Sequence, residues 1–173
     1  MKLTLKLPLA IAAMLLLVAA AALYGIHTLN RALGTYAGDV MRSQQQAAAV
    51  ADLLVDFKTQ VQEWKNTLLR GKDTKALERH WGAFGRLERE MATKVTALVQ
   101  ALPPGEARTL VEQFGQAHRK MGEAYVKGQA AFVAADFDPA VGDRAVAGID
   151  REPARLLDLA TEKMHARAET QAA

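Results

Sequence analysis

Apolar residues follow two different patterns along this chain, one unbroken and one periodic. Residues 7–26 read LPLAIAAMLLLVAAAALYGI, a run of twenty without a charged side chain. In a helix that rises about 1.5 Å per residue, this run spans roughly 30 Å, the thickness of the hydrocarbon core of a bilayer. The run therefore predicts a transmembrane helix at residues 7–26, within an N-terminal membrane anchor that covers residues 1–29.

A cleaved signal peptide is the alternative interpretation of the same run. The alanines at residues 19–22 offer a small-residue cleavage site after an apolar core of suitable length. The apolar character continues to Ile26, however, and no polar segment precedes the alanines, so the pattern favours an uncleaved anchor. Lys2 and Lys6 precede the run, and the positive-inside rule then predicts a cytoplasmic N-terminus with the rest of the chain exported.

The rest of the chain is rich in helix-forming residues and is interrupted at three places. The interruptions contain Gly or Pro and lie at residues 71–73, 103–105 and 136–139, where the residue types end one helix and begin another. The helices predicted between them cover approximately residues 30–70, 74–102, 106–135 and 139–173. These segments are long for the helices of an ordinary globular domain.

Apolar residues recur within these segments at alternating spacings of three and four. The seam of the first helix consists of Val50, Leu54, Phe57, Val61, Trp64 and Leu68. No segment alternates with period two, so the pattern predicts an all-α fold: an antiparallel up-down four-helix bundle preceded by the transmembrane helix. Pro153 lies inside the fourth predicted helix, where we expect a kink rather than a break because the stripe resumes in phase at Leu156.

Composition removes several classes of function. The 173 residues contain no cysteine, which excludes disulfides, thiolate metal sites and cysteine nucleophiles. The net charge of +3 includes the two lysines before the apolar run, so the remainder carries 20 basic and 19 acidic side chains. An excess of one charge is too small for a nucleic-acid-binding surface, and we expect no nucleic-acid partner.

Patterns typical of catalysis and metal binding are missing from the sequence. The four histidines share no metal-ligand spacing, and there is no phosphate-binding loop or nucleophile elbow. The sequence therefore predicts neither an enzyme nor a cofactor. His118 leaves two interpretations open: a b-type haem ligand paired with Met91 or Met121, or a histidine hydrogen-bonded to a neighbour or to water.

Aromatic and cationic residues gather toward the turn at residues 71–73, which we expect to lie far from the membrane. Two tryptophans flank this turn, and lysines and arginines lie on the first and fourth helices. Such groups hold small organic acids or amino acids through charge-assisted hydrogen bonds and ring contacts. They also fill cores and solvated surfaces, which is the alternative interpretation. The predicted ligand-binding residues are Lys58, Trp64, Lys65, Arg70, Arg144 and Arg151.

Three local segments are similar to those of a known family. They read DFKTQVQEWKNTLLRGKD at residues 56–73, AHRKMGEAY at residues 117–125 and GDRAVAGIDREP at residues 142–153. They resemble the first-, third- and fourth-helix signatures of bacterial methyl-accepting chemotaxis proteins with a four-helix ligand-binding domain. The resemblance covers essentially the whole chain, which would be the first transmembrane helix and the periplasmic sensor domain of such a receptor.

The resemblance implies a homodimer in the bacterial inner membrane that binds a small ligand near the membrane-distal part of its dimer interface. Arg70 matches, in kind and approximate position, the first-helix arginines of the aspartate-receptor type. Receptors of this family continue into a cytoplasmic part that binds a kinase and an adaptor. We therefore expect a truncated receptor, connected to those partners only through a missing part. The alternatives are a free-standing exported helical-bundle protein, structural or haem- or metal-binding, and the sensor domain of a histidine kinase.

Overall fold

The described backbone is helical almost throughout. A computed structural model describes the backbone of residues 3–172 and the side chains of residues 11–170. Its helices are α1 (Leu3–Arg70), α2 (Thr74–Ala101), α3 (Glu106–Ala134), α4 (Pro139–Ala145) and α5 (Arg151–Ala172). The prediction of an all-α fold with a long apolar N-terminal helix is confirmed. Lys2 and the side chain of Lys6, which carry the topology prediction, lie outside the described residues.

The chain divides into two compact units, and the division falls within α1 between Arg42 and Ser43. In the first unit, the side chains of residues 11–39 are exposed, including the apolar ones. By length and composition alone, α1 is the described helix that is able to cross a membrane, and no part of its apolar window is buried. The sequence predicted that the first bundle helix begins at residue 30, but α1 continues through this residue without a break.

The second unit is an antiparallel helical bundle. Asp56 on α1 forms an ion pair with Lys94 on α2, and Glu63, two turns later, contacts His80. Positions that rise along α1 therefore fall along α2. The turn between the two helices is closed by Asp73, whose side chain accepts a hydrogen bond of 2.8 Å from the amide of Ala76 and so caps α2.

The later helices continue this alternation of direction. Val95 on α2 lies against Gly115 on α3. Glu106, at the start of α3, forms an ion pair of 3.1 Å with Lys163 near the end of α5. Asp138 caps α4 by accepting a hydrogen bond of 2.9 Å from the amide of Ala140. Two further α3 positions, Gly122 and Gly128, lie against Glu88 and Val146. Positions that rise along α3 therefore fall along α2 and along the α4–α5 segment, so the helices are antiparallel.

The core of the bundle is lined by α1 at positions that differ partly from the predicted seam. Val50, Phe57, Trp64 and Leu68 are buried as expected. The other two seam residues, Leu54 and Val61, are only partly buried. Leu53 and Gln60, which precede these two residues, are fully buried, and so is Thr67 before Leu68. Two of those three are polar, so the spacing of apolar residues does not reveal them.

The fourth segment is two helices, and the expectation of one helix with a kink at Pro153 is wrong. α4 ends at Ala145 and α5 begins at Arg151, with turns between them. Gly148 has φ 76°, a left-handed conformation that suits glycine. Pro153 is the third residue of α5. Because the first turn of a helix has no internal partner for its amides, proline removes no hydrogen bond there.

Candidate functional site

Trp64, the aromatic member of the predicted site, lies in the bundle core. Its side chain is 2% exposed, and its ring meets Trp81 and Tyr125 edge-on at centroid distances of 6.1 and 5.0 Å. The indole Nε1 is buried and has no hydrogen-bond partner among the described residues. In a single chain, Trp64 is therefore a packing residue, and its contact with a ligand stays a prediction.

The aromatic residues around Trp64 form one cluster across three helices. Trp81 stacks on Phe84 with ring centroids 4.9 Å apart, and Phe84 lies 5.1 Å from Tyr125. Burial raises the pKa of the Tyr125 hydroxyl, and the negative charges of Asp150 and Asp143 raise it further. The cluster fixes α1, α2 and α3 at the level of the predicted site, since aromatic pairs of this geometry add stability beyond the area they bury.

The five cationic residues of the predicted site are exposed. Lys58, Lys65 and Arg70 lie on α1, Arg144 on α4 and Arg151 at the start of α5. The side chain of Arg151 lies along the backbone of Gly148. Among the described residues, no salt bridge or side-chain hydrogen bond joins any two members of the predicted site. The structure thus leaves these cations available to a partner or ligand without assembling them into one pocket.

Lys58 and Lys65 belong to a second heptad stripe on α1, which faces away from the core. We call this stripe the outer seam. Its members are spaced by alternating threes and fours and are Ala48, Ala51, Val55, Lys58, Gln62, Lys65 and Leu69. Val55 and Leu69 are 61% and 75% exposed. An exposed seam with apolar residues at helix-pairing spacing is typical of a face that meets another helix.

A buried polar layer, which the sequence did not reveal, joins three helices beneath the aromatic cluster. The layer consists of Gln60 on α1, Glu88 on α2 and His118 on α3, and Gln60 and His118 are 0% and 2% exposed. The amide of Gln60 donates to Glu88 Oε2 at 2.6 Å. His118 Nε2 lies 2.8 Å from Gln60 Oε1 and 3.2 Å from Glu88 Oε2. Both partners are acceptors, so Nε2 carries the ring proton and donates.

The environment of the polar layer keeps His118 neutral. Burial, together with the smaller effect of the positive charge of Arg119, lowers its pKa to about 4. Burial raises the pKa of Glu88, although the hydrogen bond from Gln60 opposes that shift. The contact between His118 and Glu88 is therefore a hydrogen bond rather than a salt bridge at neutral pH. Phe114 stacks on the imidazole with centroids 5.3 Å apart.

Space for the carboxylate of Glu88 comes from Gly122 on α3. A Cβ at that position would lie 2.5 Å from Glu88 Oε1, so the carboxylate would have to shift. The hydrogen bonds made by His118 correspond to the second of the two interpretations that the sequence left open. Within the described residues, no group of three or more His, Asp or Glu side chains is arranged to hold a metal ion.

Three cavities on the bundle have volumes of about 540, 270 and 190 Å³. None of the three is lined by a residue of the predicted site. The largest lies between α3 and the beginning of α5, the second between α1 and α2, and the smallest beside the turn that joins α2 to α3.

Comparison with known proteins gives one informative match. The chain is 33% identical over 139 residues to the methyl-accepting chemotaxis protein CtpH of Pseudomonas aeruginosa. The matched region covers 76% of this chain and 24% of that protein, so the chain spans about a quarter of the length of its curated relative. No family model matches the sequence, and no solved structure matches it. The similarity supports a chemoreceptor-related protein, a receptor rather than an enzyme.

Proposed function

We propose that this chain is the ligand-sensing part of a transmembrane chemoreceptor that detects a small polar metabolite in chemotaxis. The observation that carries this proposal is the 33% identity over 139 residues to a methyl-accepting chemotaxis protein. A match that covers 76% of the chain extends far beyond the apolar run at residues 7–26. The similarity therefore includes most of the bundle, where ligand sensing would take place.

The proposed location is the bacterial inner membrane, with the apolar part of α1 as the anchor. That part is long enough to cross a bilayer, and its side chains are exposed from residue 11 onward. Lys2 and Lys6 precede it in the sequence, which supports a cytoplasmic N-terminus and a periplasmic bundle. Output through a kinase and an adaptor belongs to the same proposal and would use receptor segments outside residues 1–173.

The outer seam supports a homodimer as the sensing unit. Two copies anchored in one membrane run parallel, and in a parallel pair of helices the heptad positions face their counterparts. Val55 and Leu69 would bury their exposed side chains against the second copy. Lys58 and Lys65 would face the same lysines across the interface, where like charges repel each other.

A small anion bound between the two copies would relieve this repulsion. An organic acid or an acidic amino acid offers carboxylates that accept charge-assisted hydrogen bonds from Lys58 and Lys65. Arg70 follows the last residue of the outer seam and adds a further cation. Arg144 and Arg151 are exposed on α4 and α5 and remain proposed contributors. The ligand proposed from this charge pattern is therefore a small carboxylate-bearing metabolite.

Ligand-dependent stability of the full chain in detergent micelles tests this proposal. Succinate, malate, citrate, aspartate and glutamate form the panel, and thermal unfolding is followed by tryptophan fluorescence. At about 100 times its Kd, a ligand stabilises the folded state by about 2.7 kcal/mol. We expect one of these acids to stabilise the chain and the double variant Lys58→Gln/Lys65→Gln to abolish the effect.

The matched control removes two lysines outside the outer seam. Lys75 on α2 and Lys127 on α3 are also exposed, so Lys75→Gln/Lys127→Gln changes the net charge equally. This control should keep the full stabilisation. Equal stabilisation of the two double variants, or no stabilisation by any acid of the panel, would contradict the proposed ligand class and site.

A further inference from the structure

A groove on the bundle surface has the size of a small-molecule site. Its volume is about 540 Å³, within the range of roughly 300 to 1,000 Å³ that is typical of ligand pockets. One wall is a face of α3 and the other is the beginning of α5 with the turn before it. The lining residues lie at positions 113, 116, 117 and 120 on α3 and at positions 149, 152, 153 and 156 on the other wall. Offsets of three, four and seven place the α3 residues on one helical face.

The floor of this groove is apolar. Leu156 is 3% exposed, and Pro153 beside it is buried. Ile149 and Ala117 are partly buried and pack against the core. The interruption between α4 and α5 contributes to this floor, because Ile149 belongs to the turn and Pro153 to the first turn of α5. An apolar floor of this kind accommodates a branched hydrocarbon chain.

The rim of the groove carries one uncompensated positive charge. Lys120 on α3 is exposed and has no salt bridge or hydrogen bond among the described residues. Across the groove, Glu152 already accepts two hydrogen bonds from Arg155, at 2.9 and 2.8 Å. That pairing lowers the pKa of the Glu152 carboxyl and neutralises its charge locally. The carboxamides of Gln113 and Gln116 complete the rim on the side of α3.

We propose that this groove binds a small carboxylate with an apolar body. The carboxylate lies at Lys120 and accepts from the neighbouring carboxamides, and the apolar body covers the floor formed by Pro153 and Leu156. This site goes beyond the proposed sensing function, because it lies within one subunit and shares no residue with the outer seam. A single chain therefore binds this ligand whether or not two copies associate.

Probes that separate charge from shape test the proposal on the full chain in micelles. The probe is 4-methylpentanoate, which has both a carboxylate and a branched apolar body. Its uncharged analogue 4-methylpentanamide lacks the charge, and acetate lacks the body. By ligand-observed NMR, we expect 4-methylpentanoate to bind at least tenfold more tightly than either comparison compound. Two results would overturn the proposal: equal binding of the acid and the amide, or no binding of the acid at about 10 mM.

Variants at the groove locate the binding. Lys120→Gln should weaken 4-methylpentanoate at least tenfold, Lys120→Arg should retain it, and Ala117→Leu should block it by filling the floor. Lys127→Gln is the matched control, because Lys127 is exposed on the same helix but does not line the groove. Binding that survives both Lys120→Gln and Ala117→Leu would overturn the site.

The two proposed sites are tested independently of each other. Lys58→Gln/Lys65→Gln should leave binding of 4-methylpentanoate unchanged while it removes the ligand of the outer seam. Loss of 4-methylpentanoate binding in that double variant would show that the acid binds the outer seam and would overturn the groove.

Discussion

Gln60 and His118 are polar side chains at core positions, and they are retained there by one set of hydrogen bonds. Their burial is complete or nearly so, and both contact Glu88. A buried polar group without a partner costs about 1 to 3 kcal/mol, so the three residues stabilise the bundle only as a complete set. Because each comes from a different helix, the set also fixes how α1, α2 and α3 align.

The titration of His118 predicts an acid-sensitive bundle. Its folded-state pKa of about 4 lies below the ordinary value of 6.5, so its contribution to stability is fully present above pH 6.5 and is lost as the pH falls toward 4. Glu88 acts in the opposite direction, since its raised pKa favours the protonated form in the folded state. Between pH 7 and pH 4, the free energy of unfolding of the natural chain should fall by about 3 kcal/mol more than that of His118→Gln.

Urea unfolding in micelles at pH 7, 6, 5 and 4 measures this loss. The chain has two tryptophans, Trp64 and Trp81, and both lie in the bundle, so fluorescence reports its unfolding alone. His118→Gln is the control, because glutamine retains a donor and does not titrate. Parallel dependence of the two proteins on pH would contradict the account of the polar layer.

At the residue scale, the sequence predicted the size and spacing of core positions better than their chemistry. Val50, Phe57 and Trp64 were found because they are apolar and lie on the helical period. Gln60 is equally buried, but its burial depends on Glu88 and His118, which are distant in sequence. No local pattern encodes that dependence, so the apolar spacing predicts the neighbouring residue Val61 at the seam instead.

The interruption between α4 and α5 is the element that most distinguishes this bundle from four uninterrupted helices. It lies beside the aromatic cluster, since Val146 and Trp64 both lie against Gly128 on α3. It also supplies Ile149 to the floor of the groove. A continuous helix would continue its regular hydrogen bonds through residues 146–150, where the structure has turns instead.

Substitutions at Gly148 and Pro153 test this interruption. Gly148→Ala should cost about 1 kcal/mol, because its φ of 76° disfavours a side chain. Pro153→Ala should change stability by less than about 1 kcal/mol, because proline in the first turn removes no hydrogen bond. In an uninterrupted helix, removing this proline would instead stabilise by about 3 kcal/mol.

The control for these variants is Gly82→Ala on α2. A Cβ at Gly82 meets no heavy atom within 4 Å, so alanine should stabilise the helix by about 1 kcal/mol. Unfolding in urea measures all three variants. A large gain for Pro153→Ala, or no loss for Gly148→Ala, would contradict the observed break.

At the element scale, the sequence located the turns at residues 71–73 and 103–105, which contain Gly or Pro among polar or proline neighbours. The break at residues 146–150 has only Gly148 as a signal, and Val146 and Ile149 preserve the apolar stripe across it. Pro153 is the stronger local signal, because proline is the least favourable residue within a helix. Whether a helix tolerates proline at this position depends on where the helix begins, and the apolar stripe does not reveal that start.

At the scale of the whole molecule, apolar side chains are exposed in each of the two units for a different reason. In the first unit they cover all sides of α1, which is typical of a helix surrounded by lipid. In the second unit, those of α1 lie on the outer seam, interleaved with Lys58, Gln62 and Lys65. A lipid-facing helix does not carry charges at that spacing, so a second copy of the chain is the proposed partner.

The outer seam was not predicted from the sequence, although its spacing is visible there. Its mixture of apolar, amide and cationic residues is also what a solvated helix face contains. Only the exposure of Val55 and Leu69, measured against the buried core positions of the same helix, separates the two seams. The sequence therefore identified Lys58 and Lys65 as candidates without the face that relates them.

The proposed receptor function requires two copies to meet along the outer seam, and single-cysteine cross-linking tests that contact most directly. The natural chain contains no cysteine, so Val55→Cys introduces the only thiol. Val126→Cys on α3 is the matched control, because Val126 is similarly exposed, at 57% against 61% for Val55. A disulfide forms only between thiols that face each other at short range. Oxidation of the full chain in membranes should therefore link the Val55→Cys chain into a disulfide dimer and leave the Val126→Cys chain monomeric. A monomeric Val55→Cys chain, or equal cross-linking at the two positions, would contradict a receptor that senses through this face of α1.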